Sequence, residues 1–312
     1  MTRLTLGAKA IVIDTAGTVE REQGESMSTE YMDLSAGRIR YRDSGEGPPI
    51  VFVHGLLVDG RLWRKVTPAL EGAYRCIVPD LPLGAHTVPM KPDADVTPPA
   101  LAGLITELIE KLDLHDVTLV GNDTGGALTQ MAITQSPDRI ARVVLTPCDA
   151  FDNFLPPMFK GLQVLARVPA LLTAFVQPLR LRPARRLPIA FGWLTKRPID
   201  AEVENAWVGA FFKRREVRRD VARILRAIDS RYTQEAAERL RSFDRPVLIA
   251  WATEDRVFPL EHAHRLAGLL PDARVVEIPD SYSFVPEDQP DRLAELIREF
   301  VPAGERATVT AG

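Results

Sequence analysis

Two cysteines, Cys76 and Cys148, are all the thiols in a chain of 312 residues. They are too few for a disulfide framework, and neither has a CxxC or zinc-type neighbour. That excludes a small disulfide-stapled scaffold and predicts a reducing, cytoplasmic setting. No apolar run approaches the roughly 20 residues that a membrane-spanning helix needs. The stretch Ala8 to Ala16 has a short apolar centre, but Asp14 interrupts it and too few apolar residues stand in a row for a signal peptide to be expected. There is no excess of one charge either, since a net of −3 gives no whole-chain case for nucleic acid. Histidine is scarce: there are five, and the last is His264. No cofactor and no metal are expected.

A hydrophobic content of 46% with 26% charged residues suits a globular chain with a sizeable core. Residues 1–30 are expected to form a disordered N-terminal extension, with Met27 as an alternative start, and residues 305–312 a tail. From Tyr31 the pattern becomes regular. Tyr31 to Leu34 and Arg38 to Asp43 alternate with period two around Gly37, which predicts a β-hairpin. Continuous apolar runs follow at 49–55, 75–82, 117–122, 141–146, 247–252 and 273–278. Such runs suit strands covered on both faces. Leu101 to Leu112, Leu260 to Leu270 and Asp291 to Phe300 carry helical spacing between them. Strand-helix alternation predicts a mostly parallel sheet with helices on both faces.

The segment 155–231 breaks that alternation. It has no convincing strand and is punctuated by prolines from Pro156 to Pro198. It carries 16 Lys and Arg against 6 Asp and Glu, a net of +10, which leaves −13 for the rest of the chain. One reading is attraction to an anionic substrate or surface. The other is solvated arginine faces on amphipathic helices, as in Lys213-Arg214-Arg215.

One turn stands out. Val117 to Val120 runs as a strand into Gly121-Asn122-Asp123-Thr124-Gly125-Gly126, and a helix-like run follows. Glycines around Asp123 allow a sharp turn that thrusts its side chain outward. With this elbow go Val53-His54-Gly55-Leu56, Val78-Pro79-Asp80-Leu81-Pro82, and the strand from Pro246 that ends at Glu254-Asp255. From about Tyr31 to Pro302 the chain resembles an α/β-hydrolase. The resemblance implies a core of residues 31–154 and 232–304, with 155–231 as a helical cap inserted after the sixth strand. An Asp at the elbow resembles the epoxide hydrolase and haloalkane dehalogenase branch. There the carboxylate attacks carbon to form an ester, and a histidine oriented by an acid activates water to release it. By that resemblance Asp123 is the nucleophile and Asp255 the orienting acid. The backbone N–H groups of Leu56 and Thr124 are expected to form the oxyanion site. A turn residue at Asp123 and a helix N-cap at Asp255 are the plain alternatives.

Ser281-Tyr282-Ser283-Phe284-Val285-Pro286-Glu287-Asp288-Gln289-Pro290 matches the family's histidine segment without a gap, and Ser283 stands where His belongs. A serine hydroxyl orients and hydrogen-bonds but does not hold a proton near neutral pH as imidazole does. Three repairs are open. His54 or His86 serves as base, although a packing role and a solvated-loop role are the plain alternatives. Or Asp123 works as an acid or base in a cofactor-independent lyase or isomerase. Or the protein binds a ligand without turning it over. Asp149 and Asp152, after the sixth strand, substitute for Asp255, contact substrate or simply lead into the cap. Thr124 replaces the halide-holding Trp of dehalogenases. The cap lacks the tyrosines of epoxide hydrolases, leaving only Tyr232 at its edge. Phe191, Trp193, Trp207, Phe211 and Phe212 are candidates for an apolar lining. The expected partner is a small, largely apolar molecule.

Overall fold

The computed structural model describes residues 28–303. Two hairpin strands come first, β1 (Ser28–Leu34) and β2 (Gly37–Ser44). Then follow β3 (Pro49–Val53), β4 (Arg75–Pro79), helix α1 (Pro98–Lys111), β5 (Val117–Asp123), α2 (Thr124–Gln135) and β6 (Ile140–Cys148). Five helices come next: α3 (Lys160–Leu165), α4 (Pro169–Val176), α5 (Ala201–Lys213), α6 (Arg215–Ala227) and α7 (Ser230–Arg239). The chain closes with β7 (Val247–Ala252), α8 (Leu260–Leu269), β8 (Ala273–Ile278), α9 (Val285–Asp288) and α10 (Pro290–Phe300).

The eight strands form one sheet in the order β1-β2-β4-β3-β5-β6-β7-β8. Pairing is antiparallel from β1 to β4 and parallel beyond. β1 begins at Ser28, which pairs with Asp43, so Ser28 to Glu30 are strand and not extension. The hairpin gives these residues hydrogen-bond partners that their own polar composition does not announce. The rest of the expected extension and the tail lie outside the described residues.

β5 and β7 are buried along their whole length, as suits strands covered on both faces. The register sets up everything that follows. Val53 pairs with Gly121, and Asp123 with Cys148. The chain therefore leaves β3, β5 and β6 at one edge of the sheet, and Leu56, Asp123 and Asp149 emerge side by side. β7 and β8 run parallel to them, so Asp255 and Ser283 emerge at the same edge. Ligands of open parallel sheets gather at this carboxyl edge. Between β6 and β7 the described chain carries helices and no strand.

Candidate active site

Asp123 has φ 56° and ψ −133°, a conformation that few side chains accept. The turn is held by close approach. A Cβ on Gly55 would come within 2.6 Å of the Asp123 Cγ, and one on Gly125 within 2.7 Å of the Val53 carbonyl carbon. With no side chain there, the carboxylate lies against the turn after β3. Its Oδ1 accepts the Leu56 N–H at 3.0 Å and the Thr124 N–H at 2.6 Å. Oδ2 is left for other work. Burial pushes the Asp123 carboxyl above the usual carboxylate range, and the two amides together with the Thr124 hydroxyl pull it back.

Two further carboxyls are buried nearby. Asp149 is 1% exposed and its Oδ2 accepts from the Thr124 hydroxyl at 3.1 Å. Its Oδ1 has no partner among the described residues. Burial, reinforced by the charge of Asp123, pushes the Asp149 carboxyl well above the usual carboxylate range. Asp152 is exposed and takes no part. The Oδ1 of Asp255 accepts the N–H groups of Val257 and Phe258 at 2.7 and 2.8 Å, and the Ser283 hydroxyl at 2.9 Å. The N-cap-like bonds and the orienting contact thus coexist on one oxygen. Burial, opposed by those donors and aided by Asp123, pushes Asp255 up to about 7.

The histidines do not fill the gap. His54 is fully buried; its Nε2 accepts the Leu81 N–H at 2.9 Å and its Nδ1 donates to the Gly55 carbonyl at 2.9 Å. Burial lowers its affinity for a proton. Both nitrogens are spent on holding the turns after β3 and β4. His86 is not a solvated loop residue: it is 2% exposed. Its Nδ1 accepts the Gly84 N–H, and Nε2 lies 3.5 Å from Oδ2 of Asp220 on α6. Neither imidazole is free to act as the replacement base. His262 is buried edge-on against Phe151 at 5.5 Å. Tyr232 turns its hydroxyl to Arg231 at 2.7 Å.

Above this edge lies an apolar cavity of about 40 Å³, lined in part by Leu57, Leu162, Leu172, Phe191, Trp207 and Phe211. Trp193 and Phe212 do not line it; Phe212 lies under the Arg180 guanidinium at 4.3 Å. Trp207 is anchored by its Nε1–H, which donates to Asp59 at 2.8 Å, and packs against Phe284 beside Ser283. Sequence reading missed Asp59, and it missed two more residues. The Asn122 amide donates to the Ser283 carbonyl at 2.8 Å and to the Pro147 carbonyl at 3.1 Å, joining three loops. Asp288 accepts N–H groups from Lys196, Arg197 and Tyr282 and the Thr195 hydroxyl. The only signal for Asn122 was its place before Asp123, and for Asp288 its place in the segment after Ser283. Among the described residues no cluster of three His, Cys, Asp or Glu is placed to hold a metal ion, and no helix is long and apolar enough to cross a membrane.

Haloalkane dehalogenase 2 of Mycobacterium tuberculosis is 28% identical over 87% of this chain and 94% of its own length. The cis-3-alkyl-4-alkyloxetan-2-one decarboxylase of Shewanella oneidensis is 26% identical over 88% of each chain. Among solved structures, the epoxide hydrolase CorEH superposes with a TM-score of 0.73 at 19% identity, covering 88% of this chain and 98% of that one. That last likeness is one of fold. A family described as alpha/beta hydrolase fold matches residues 48–290. With the sheet order, the elbow at Asp123 and this match, the chain belongs to the alpha/beta hydrolase fold family.

Proposed function

We propose that this protein is a hydrolase-class enzyme that uses Asp123 to attack carbon in a small, largely apolar molecule, with residues 155–231 as the cap over the site. The observation that carries this reading is the pair of N–H groups on Oδ1 of Asp123. They leave Oδ2 as the attacking oxygen. Once Oδ2 is alkylated, Oδ1 is the ester carbonyl and already faces both donors. Water adding to Cγ would then build its negative charge where it is best stabilised.

Release of the ester is assigned to Ser283 and Asp255. Ser283 takes a proton from the attacking water as it passes its own to Asp255, whose value near 7 suits a base at neutral pH. Asp149, buried beside Thr124 with its carboxyl pushed above the usual range, is the candidate acid for a leaving oxygen.

The lack of a free imidazole favours a second reading, a lyase. A strained four-membered lactone, the class named for the Shewanella relative, needs no activated water. Oδ2 attacks the ring carbon that bears the ring oxygen, and that C–O bond breaks to give a free carboxylate. The carbon–carboxylate bond then breaks, its electron pair forms the alkene, and the Asp123 ester bond breaks in the same step. Carbon dioxide leaves and Asp123 is regenerated.

Turnover in ¹⁸O-labelled water separates the two. Hydrolysis through the ester places solvent oxygen in the peptide carrying Asp123, read by mass spectrometry. The lyase leaves that peptide unlabelled and releases carbon dioxide. Asp123→Asn is expected to abolish either reaction, and turnover that persists in that variant removes Asp123 from the centre. A bound molecule recovered unchanged from the wild type after long incubation points to a binding protein instead.

A further inference from the structure

Helix α4, Pro169–Val176, has no polar face. Leu172 is buried and lines the apolar cavity together with Val176, whereas Leu171 and Phe175 on the other side are 54% and 45% exposed. A helix that is apolar all round belongs in a protein core or in lipid. Its surroundings repeat the pattern. Among the described residues, every exposed large apolar side chain except Tyr31 lies between Val164 and Ile189. Surface apolar residues scattered singly need no explanation, but this concentration does.

The same stretch is cationic. From Asn153 to Ile199 there are eight Lys or Arg and no Asp or Glu. Beside α4 runs a groove of about 750 Å³ between that helix and α6, lined by Pro169 and Thr173 on one side and by Arg215, Arg218 and Arg226 on the other. Glu216 is the one acidic residue on it. Arg215 is exposed and has no side-chain partner among the described residues.

We propose that this face docks on an anionic lipid bilayer, with Leu171 and Phe175 entering the acyl boundary and the α6 arginines meeting the headgroups. Apolar side chains and a basic patch are the two signals that together hold a protein at such a surface. A second copy of the chain fits less well, because a twofold contact here would set two arginine-rich faces against each other. The inference goes beyond the reaction at Asp123, and its test needs no turnover.

The full chain is sedimented with vesicles of phosphatidylcholine alone and with vesicles in which a quarter of the lipid is phosphatidylglycerol. Binding is expected only to the second, weakening as salt is raised. Arg215→Gln with Arg226→Gln is expected to lower binding by about fivefold for each arginine removed. Leu171→Ser with Phe175→Ser is expected to abolish it, with the thermal midpoint unchanged because both side chains are exposed. Absent binding, equal binding to both vesicles, or full binding by the serine variant overturns the proposal. So does a dimer in sedimentation velocity that the serine variant dissolves, since the face then belongs to a second copy.

Discussion

The Ser283 hydroxyl donates to Oδ1 of Asp255 across 2.9 Å, the contact to which release of the ester is assigned in the proposed reaction. Serine carries a hydroxyl that orients and hydrogen-bonds but no imidazole to hold a proton. Ser283→His is therefore expected to raise hydrolysis of generic epoxides or activated esters by about a hundredfold or more, the usual worth of a positioned general base. The check is initial rates with a chromogenic substrate. A folded variant with no gain would mean that the site is shaped for a reaction needing no imidazole.

Asp255 ties stability to pH. Below about pH 4 its carboxyl is protonated whether the chain is folded or not. As pH rises from the ordinary value of 3.8 to about 7, the unfolded chain releases that proton while the fold retains it. Stability contributed by this group is thus full at acid pH and lost as pH climbs through that window. Asp255→Asn keeps an oxygen acceptor for Val257, Phe258 and Ser283 but does not titrate. Its stability relative to wild type is expected to improve by roughly 3 kcal/mol between pH 4 and pH 7. Urea denaturation of both proteins across that range gives the comparison, and a constant difference would show that Asp255 titrates normally.

Gly55 is a packing requirement of the site. In Gly55→Ala the new methyl meets the Asp123 carboxylate. A cost of about 1–3 kcal/mol in stability is expected, typical of overpacking. Displacing a reacting group by about 1 Å is expected to lower kcat about a hundredfold. Thermal melts and steady-state rates test both, and a fully active alanine variant would contradict the tight turn.

Asp288 is the buried acceptor for three backbone N–H groups and one hydroxyl. Asp288→Ala is expected to cost about 3 kcal/mol, since several charge-assisted bonds lose their acceptor together. Hydrogen exchange is expected to speed up selectively at residues 194–197 and 281–284. Uniform exchange across the chain would place the role of Asp288 elsewhere.

All eight strands were legible in the sequence, because alternation and apolar runs are local signals. So was the sharp turn at Asp123, because glycines flanking a polar residue between a strand and a helix are a local signal too. The occupations of the histidines were not. His86 looks solvated within Gly84-Ala85-His86-Thr87, yet Asp220, 134 positions away, comes in beside it. His54 is committed by the Leu81 amide, a partner that composition cannot reveal. Likewise the sequence leaves Asp149 open between a site carboxylate and a turn residue, and its burial, with one oxygen lacking a partner among the described residues, is a matter of long-range packing.

The loop of Ser283 is fastened to the inserted segment. The Phe284 N–H donates to the Leu194 carbonyl at 2.7 Å, and Asp288 clasps residues 195–197. Glu287, paired with Arg64 and Lys65, braces the same corner against the core. Helices α3 and α4 meet the core near Leu57 and Gly84 through apolar contact, with their hydrogen bonds kept inside the insertion. The insertion is thus bolted along the Ser283 wall and again along α6, where Asp220 accepts the Met90 N–H at 2.9 Å and Arg219 donates to the Met90 carbonyl at 2.6 Å, and it merely rests on the core at α3 and α4. A guest lifting the Ser283 wall would unseat that residue, whereas one parting the resting side would leave the reacting groups where they stand.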